Sequence, residues 1–137
     1  MTRTLPTIKD KFDVESASEI VVIGYPENQP ALTELISWSC FPNDPVCHVT
    51  FPYIASLRNE ILGPALAEFL DFHVTHAQLD LVSDAFWLFI NERGAAFRGS
   101  IEGLCQQVST KALFNDTKYS LEQYEKDRVR FDAIRNS

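Results

Sequence analysis

Lysine and arginine are nearly missing from the middle of this 137-residue chain, where Arg58 stands alone between residues 12 and 91. Nucleic-acid recognition needs clustered cations to neutralise phosphates, so this stretch excludes a phosphate footprint and leaves only the C-terminal end to supply one. Glycine is scarce as well. The five glycines form no G-x-G-x-x-G and none precedes a Lys-Ser or Lys-Thr pair, which excludes the usual phosphate cradles. Cysteine is limited to Cys40, Cys47 and Cys105, an odd number that cannot all pair within the chain. Three buried thiols in a reducing compartment account for all of them, and a small loop joining Cys40 to Cys47 across FPNDPV is the alternative. No apolar run approaches the roughly 18 to 20 residues of a membrane span, and the N-terminus holds no stretch of signal-peptide length. A cytoplasmic protein with no membrane partner is therefore expected.

What is present is acid. Residues 12–91 carry eleven carboxylates, Asp13, Glu15, Glu19, Glu27, Glu34, Asp44, Glu60, Glu68, Asp71, Asp80 and Asp84, for a local charge of −10. The flanks are slightly basic and bring the whole to −7. Such a surface repels anionic polymers and attracts basic proteins, although an acidic face also simply keeps a protein soluble. With 45% hydrophobic residues and 16 aromatics (ten Phe, four Tyr, two Trp), the chain has apolar mass enough for a single globular domain over residues 1–137. That domain divides into a leader at 1–17, a core at 18–116 and a C-terminal helix at 117–137.

The expected fold is α+β, with helix in the majority and a small mixed or antiparallel sheet. Glu19–Tyr25 (EIVVIGY) reads as a central strand ended by Gly24 and Pro26, and VCHVTF as its partner. Between them, Pro30 opens a helix over PALTELISWS with Leu32, Leu35, Ile36 and Ser39 on one face. From Pro52, Ile54, Leu57, Ile61 and Leu62 share a helical face, Gly63 offers a stop, and Pro64 starts or kinks a segment holding Leu66, Phe69 and Leu70. Two readings compete for the next stretch: a helix capped by Thr75 and running to Gly94, or a hairpin of DAFWLFIN and AAFRGSIEG joined through ERG. The glycines at 99 and 103 would weaken a helix, and the sheet needs partners, so the hairpin is favoured. An almost all-α fold with one short strand pair is the alternative class. The last element is an amphipathic helix opened by the capping box Ser120–Gln123, with Leu121, Tyr124, Arg128, Phe131 and Ile134 on one stripe.

Chemical motifs are sparse. His73-Val-Thr-His76 places two imidazoles within reach if helical, and Cys47–His48 could add donors, but neither knuckle spacing nor HExxH is present. No nucleophile signature occurs, and pairs such as Glu68 with Asp71 or Asp80 with Asp84 have the spacing of a solvated helix face. No cofactor, metal or catalytic residue is therefore assigned. The expected function is that of an inhibitor, immunity or antitoxin-type protein that binds and neutralises a basic partner, using Glu27, Glu34, Asp44, Glu60, Glu68 and Asp71. One alternative is a small enzyme or ligand-binding domain with a pocket near Tyr25, Glu27 and Asn28, at the end of the first strand. Another is an accessory subunit that self-associates, as a homodimer for example, through Trp38, Phe41 and Tyr53.

Overall fold

The computed structural model describes residues 4–76, 84–107, 110 and 121–135. Among these, seven α-helices and one 3-10 turn carry the chain, and no strand occurs. The helices are α1 (Val14–Ile23), α2 (Leu32–Trp38), α3 (Cys47–Ser56), α4 (Asn59–Thr75), α5 (Asp84–Arg93), α6 (Ala95–Leu104) and α7 (Leu121–Arg135). The 3-10 turn, Gln29–Ala31, leads straight into α2. The expected α+β class is thus overturned, and so is the strand pair of its alternative.

Each misread segment has its own physical reason. Glu19–Ile23 is the second half of α1, where only Ala17 and Ile20 are buried and Val22 is 82% exposed. That i, i+3 burial outweighs the β-propensity of a Val-Val-Ile run, which is only a weak prior. The helix is started by Asp13, whose carboxylate accepts from the backbone N–H of Lys9 at 3.0 Å and of Ser16 at 3.2 Å. These bonds, Lys9's foremost, hold the Asp13 carboxyl below the usual range. Gly24 ends α1 at φ 78° and ψ 167°, a conformation open to glycine and costly for other residues.

VCHVTF lies at the start of α3, which buries Cys47, Thr50, Phe51 and Ile54 at helical spacing. Pro52 hides that period, because a proline inside a helix gives up one hydrogen bond and reads as a boundary. Likewise α4 runs through Gly63 and Pro64, and the real break comes earlier, at Leu57 and Arg58, both extended. Gly63 faces α6 instead: a Cβ there would stand 3.6 Å from the Phe97 ring and 4.0 Å from Ile101.

The hairpin is replaced by α5 and α6, joined at Gly94 with φ 95° and ψ 175°. Phe86, Trp87, Leu88, Phe89 and Ile90 are all buried, so α5 is apolar all round and shows neither period in its sequence. Over those five residues α5 is covered on every side, and it packs on α6 and α7 within the bundle. Phe51 of α3 lies at its heart, with ring centroids 5.0 Å from Phe89 of α5 and 4.5 Å from Phe131 of α7. α3 also packs on α1 and α2, while α4 packs on α2 and α6. Ile8, in the leader, is buried in the same core.

The C-terminal helix is present, with Phe131 and Ile134 buried and Tyr124 half-buried. Its inner face also holds Asp127, whereas Arg128, placed on that stripe by the sequence, is exposed and paired with Glu125 at 2.7 Å. Glu122–Lys126 at 3.3 Å and Arg128–Asp132 at 3.8 Å are i, i+4 ion pairs along the helix. Ser120 of the capping box lies outside the described residues, as do Asp80 and the part of the Thr75–Gly94 helix at 77–83. Thr75 itself ends α4, its hydroxyl donating to the Asp71 carbonyl at 2.8 Å. No helix among the described residues is long and apolar enough to cross a membrane.

Candidate functional site

α4 is amphipathic with an acidic outer edge. Glu60, Pro64, Glu68 and Phe72 follow one another at intervals of four, so they climb one exposed side of the helix. Neither α4 nor its neighbour α2 contains a lysine or arginine, while together they carry Glu34, Glu60, Glu68 and Asp71. On α4 alone Glu68 and Asp71 are an i, i+3 like-charge pair, which costs a few tenths of a kcal/mol and is left uncompensated along the helix.

Packing of α2 on α4 turns this edge into a grooved face. A depression of about 320 Å³ lies between them, with Thr33, Glu34 and Ser37 on the α2 side and Glu68, Phe69, Phe72 and His73 on the α4 side. A second, of about 410 Å³, opens on the other flank of Glu68 and Phe72, toward Asp71, Thr75, Leu104 and Gln106. A third, of about 110 Å³, runs toward the start of α4, past Glu60, Pro64 and Tyr25. Glu68 borders all three. No lysine or arginine among the described residues lines any of them.

Four of the six acids expected at an interface are therefore brought together: Glu34, Glu60, Glu68 and Asp71. Asp71 is partly committed within the protein, its Oδ2 accepting from the Gln106 backbone N–H at 2.9 Å. Its Oδ1 is shielded from solvent and has no hydrogen-bond partner among the described residues. Glu27 is exposed in the turn after α1, and no depression places it with the others. Asp44 lies elsewhere, in a shallow depression of about 530 Å³ with Asp10, Lys11, Phe12, Trp38 and Phe41. Comparison with models of known protein families, with curated proteins and with solved structures finds no match to this chain.

The other candidate residues take structural places. Asn28 is fully buried, its side-chain amide donating to the Ile20 carbonyl at 3.1 Å and to the Tyr53 hydroxyl at 2.8 Å. It ties the turn to α1 and α3, which leaves Tyr25 and Glu27 on the surface of the region where a ligand pocket was expected. With no strand at Glu19–Tyr25, the sheet-edge argument for that pocket loses its basis. Tyr53 is engaged with Asn28, so of the three aromatics proposed for self-association only Trp38 and Phe41 share a depression.

Among the described residues no three His, Cys, Asp or Glu side chains are grouped to hold a metal ion. His73 is buried against Phe69 at 4.3 Å between ring centroids, and His76 stacks on Phe72 at 4.2 Å. All three cysteines are buried thiols, and none is in a disulfide. Cys40 and Cys47 donate to carbonyls of Ile36 and Ser39, each at 3.4 Å. Burial, then the neighbouring Cys40 and Asp44, push the Cys47 thiol up to about 12, which removes it as a nucleophile at neutral pH.

Sequence reading missed Phe72, Phe12 and Leu104. For Phe72 a signal exists: it stands four residues after Glu68 on the polar stripe of α4, where an apolar residue breaks the pattern. Leu104 has none, because its exposure depends on how α6 ends against α4.

Proposed function

We propose that this protein binds a basic partner protein through the α2–α4 face and neutralises it, acting in the cytoplasm. The observation that carries this reading is the convergence on Glu68: three adjoining depressions share it, and Glu34, Glu60 and Asp71 stand around them with no cation among the lining residues. Carboxylates grouped without a cation cost folding energy and steer a cationic partner inward, which is the balance expected of an interface and not of a stabilising surface.

The test is retention of bound protein on the immobilised chain, compared with a Glu34→Gln/Glu60→Gln/Glu68→Gln variant. A basic protein should be held by the natural chain, released as ionic strength approaches 1 M, where the Debye length is about 3 Å, and held far less by the variant. Retention that ignores both salt and the three substitutions would overturn the reading.

Self-association has a separate observation in its favour. Phe12 is 67% and Phe41 39% exposed beside Trp38, and Lys11 sits among Asp10 and Asp44, so the patch is complementary to a second copy of itself. Sedimentation equilibrium over a hundredfold range of concentration, with a Phe41→Ser control, separates a dimer from a monomer.

A further inference from the structure

We propose that the ridge formed by Glu68 and Phe72 seats a cationic amphipathic helix of the partner, with one apolar side chain of that helix in each of the two depressions flanking Phe72. This rests on the basic-partner reading above and names what the partner must present. Phe72 is 53% exposed, yet it is not a loose surface residue. Its ring stacks on His76 at 4.2 Å and meets the edge of His73 at 5.5 Å, and the His76 Nδ1 lies 2.8 Å from the Phe72 carbonyl. A large apolar side chain held in place costs little entropy when a partner covers it, which is the property of an interface anchor.

The surroundings define the occupant. The walls of both depressions mix apolar and hydroxyl-bearing side chains, with Phe69 in one and Ala67 and Leu104 in the other. Apart from the buried His73, the ionisable side chains lining them are carboxylates, Glu34 and Glu68 in one and Glu68 and Asp71 in the other. A polycation without apolar side chains would satisfy the rims and leave Phe72 wet. An apolar peptide without cations would cover Phe72 and bury carboxylates without partners, at a desolvation cost. Both demands are met by a helix with apolar residues at i and i+4, neighbours on one face, flanked by lysine or arginine.

Fluorescence anisotropy decides it, using the whole chain and two labelled peptides of about 18 residues, five helical turns. Both consist of leucine and lysine in equal composition, one with an amphipathic order and one scrambled. The amphipathic probe should bind at least tenfold more tightly than the scrambled one. Phe72→Ala should erase that preference, and Phe72→Leu should keep most of it. Glu34→Gln/Glu68→Gln should weaken both peptides about tenfold and flatten the salt dependence. If both peptides bind equally, or Phe72→Ala leaves the preference intact in a chain whose circular dichroism is unchanged, the helix-seating proposal is overturned while the acidic-face reading stands. If neither peptide binds, both fall.

Discussion

Arg93, in the last turn of α5, donates from Nη2 to the carbonyl of Ala55, at the end of α3, over 2.7 Å. Its Nη1 reaches the Leu57 carbonyl and the Asn59 side chain, each at 2.8 Å, and the guanidinium lies 5.5 Å from the centroid of the Phe97 ring. One side chain thus closes the open end of α3, spans the break before α4 and links both to α5 and α6. The carbonyls of a helix's last turn have no partner within the helix, and a planar five-donor cation can serve several at once.

Arg93→Ala should therefore destabilise the fold by about 2–3 kcal/mol, the loss of charged hydrogen bonds to partly buried carbonyls. Arg93→Lys should recover less than half, since an ammonium cannot repeat the fork. Urea denaturation followed by circular dichroism measures both.

Glycine-to-alanine substitutions in the α5–α6 region separate a helix from a hairpin. Gly99 and Gly103 lie inside α6 with open space where a Cβ would stand, so alanine at either should stabilise by roughly 0.5–1 kcal/mol. Gly94→Ala should destabilise by about 1–3 kcal/mol, because φ 95° with ψ 175° excludes a Cβ without strain. Thermal melts of the three variants should show two shifts upward and one downward.

Asn28 and Tyr53 should behave as a coupled pair. Asn28→Ala removes two bonds from a fully buried site and should cost roughly 2 kcal/mol, whereas Tyr53→Phe removes one and should cost about 1 kcal/mol. The double variant should fall short of the sum, the difference being the shared bond, and a denaturant cycle reads it directly.

Cys47 sets a pH dependence at the alkaline end. Its folded value near 12 lies above the ordinary thiol value of 9.0, so the folded chain holds this proton more tightly than the unfolded one. The resulting stability is complete below pH 9 and is lost as pH rises from 9 toward 12. A Cys47→Ala variant should show a flatter stability profile over that window. In the natural chain near neutral pH, Cys47 should react with a thiol reagent only after denaturant is added.

Charge reversal at Glu68 should raise stability while it abolishes the proposed binding. Glu68→Lys converts an i, i+3 repulsion with Asp71 into an attraction and should gain a few tenths of a kcal/mol at low salt, vanishing at high salt. A loss of stability would mean that Glu68 has a structural partner instead.

How much can be read from residues alone varies along the chain. α2 is legible because Leu32, Leu35, Ile36 and Ser39 repeat at helical spacing and all four are buried, although Pro30 lies in the 3-10 turn before it and not at its first position. α7 is legible from its stripe, on which Phe131 and Ile134 are buried, though the same spacing puts Arg128 on the wrong side. α1, α3 and α5 are not. In α1 a β-branched run masks a narrow buried stripe, in α3 Pro52 cuts the period in two, and in α5 burial on all sides leaves no period at all. For the site, the acids are visible in the sequence but their grouping is not: Glu34 and Glu68 are 34 positions apart, and the packing of α2 on α4 puts them on one depression.

The charge of this protein's surface, and the want of any motif for phosphate or metal, follow from residue identity and short spacings, so they are set before the chain folds. The rest belongs to packing. Whether EIVVI and DAFWLFIN become strands or helices depends on what covers them, and here other helices do, so each satisfies its backbone hydrogen bonds within itself and needs no sheet. The same packing brings Glu34 of α2 to Glu68, which shares α4 with Glu60 and Asp71, and leaves Phe72 standing among them.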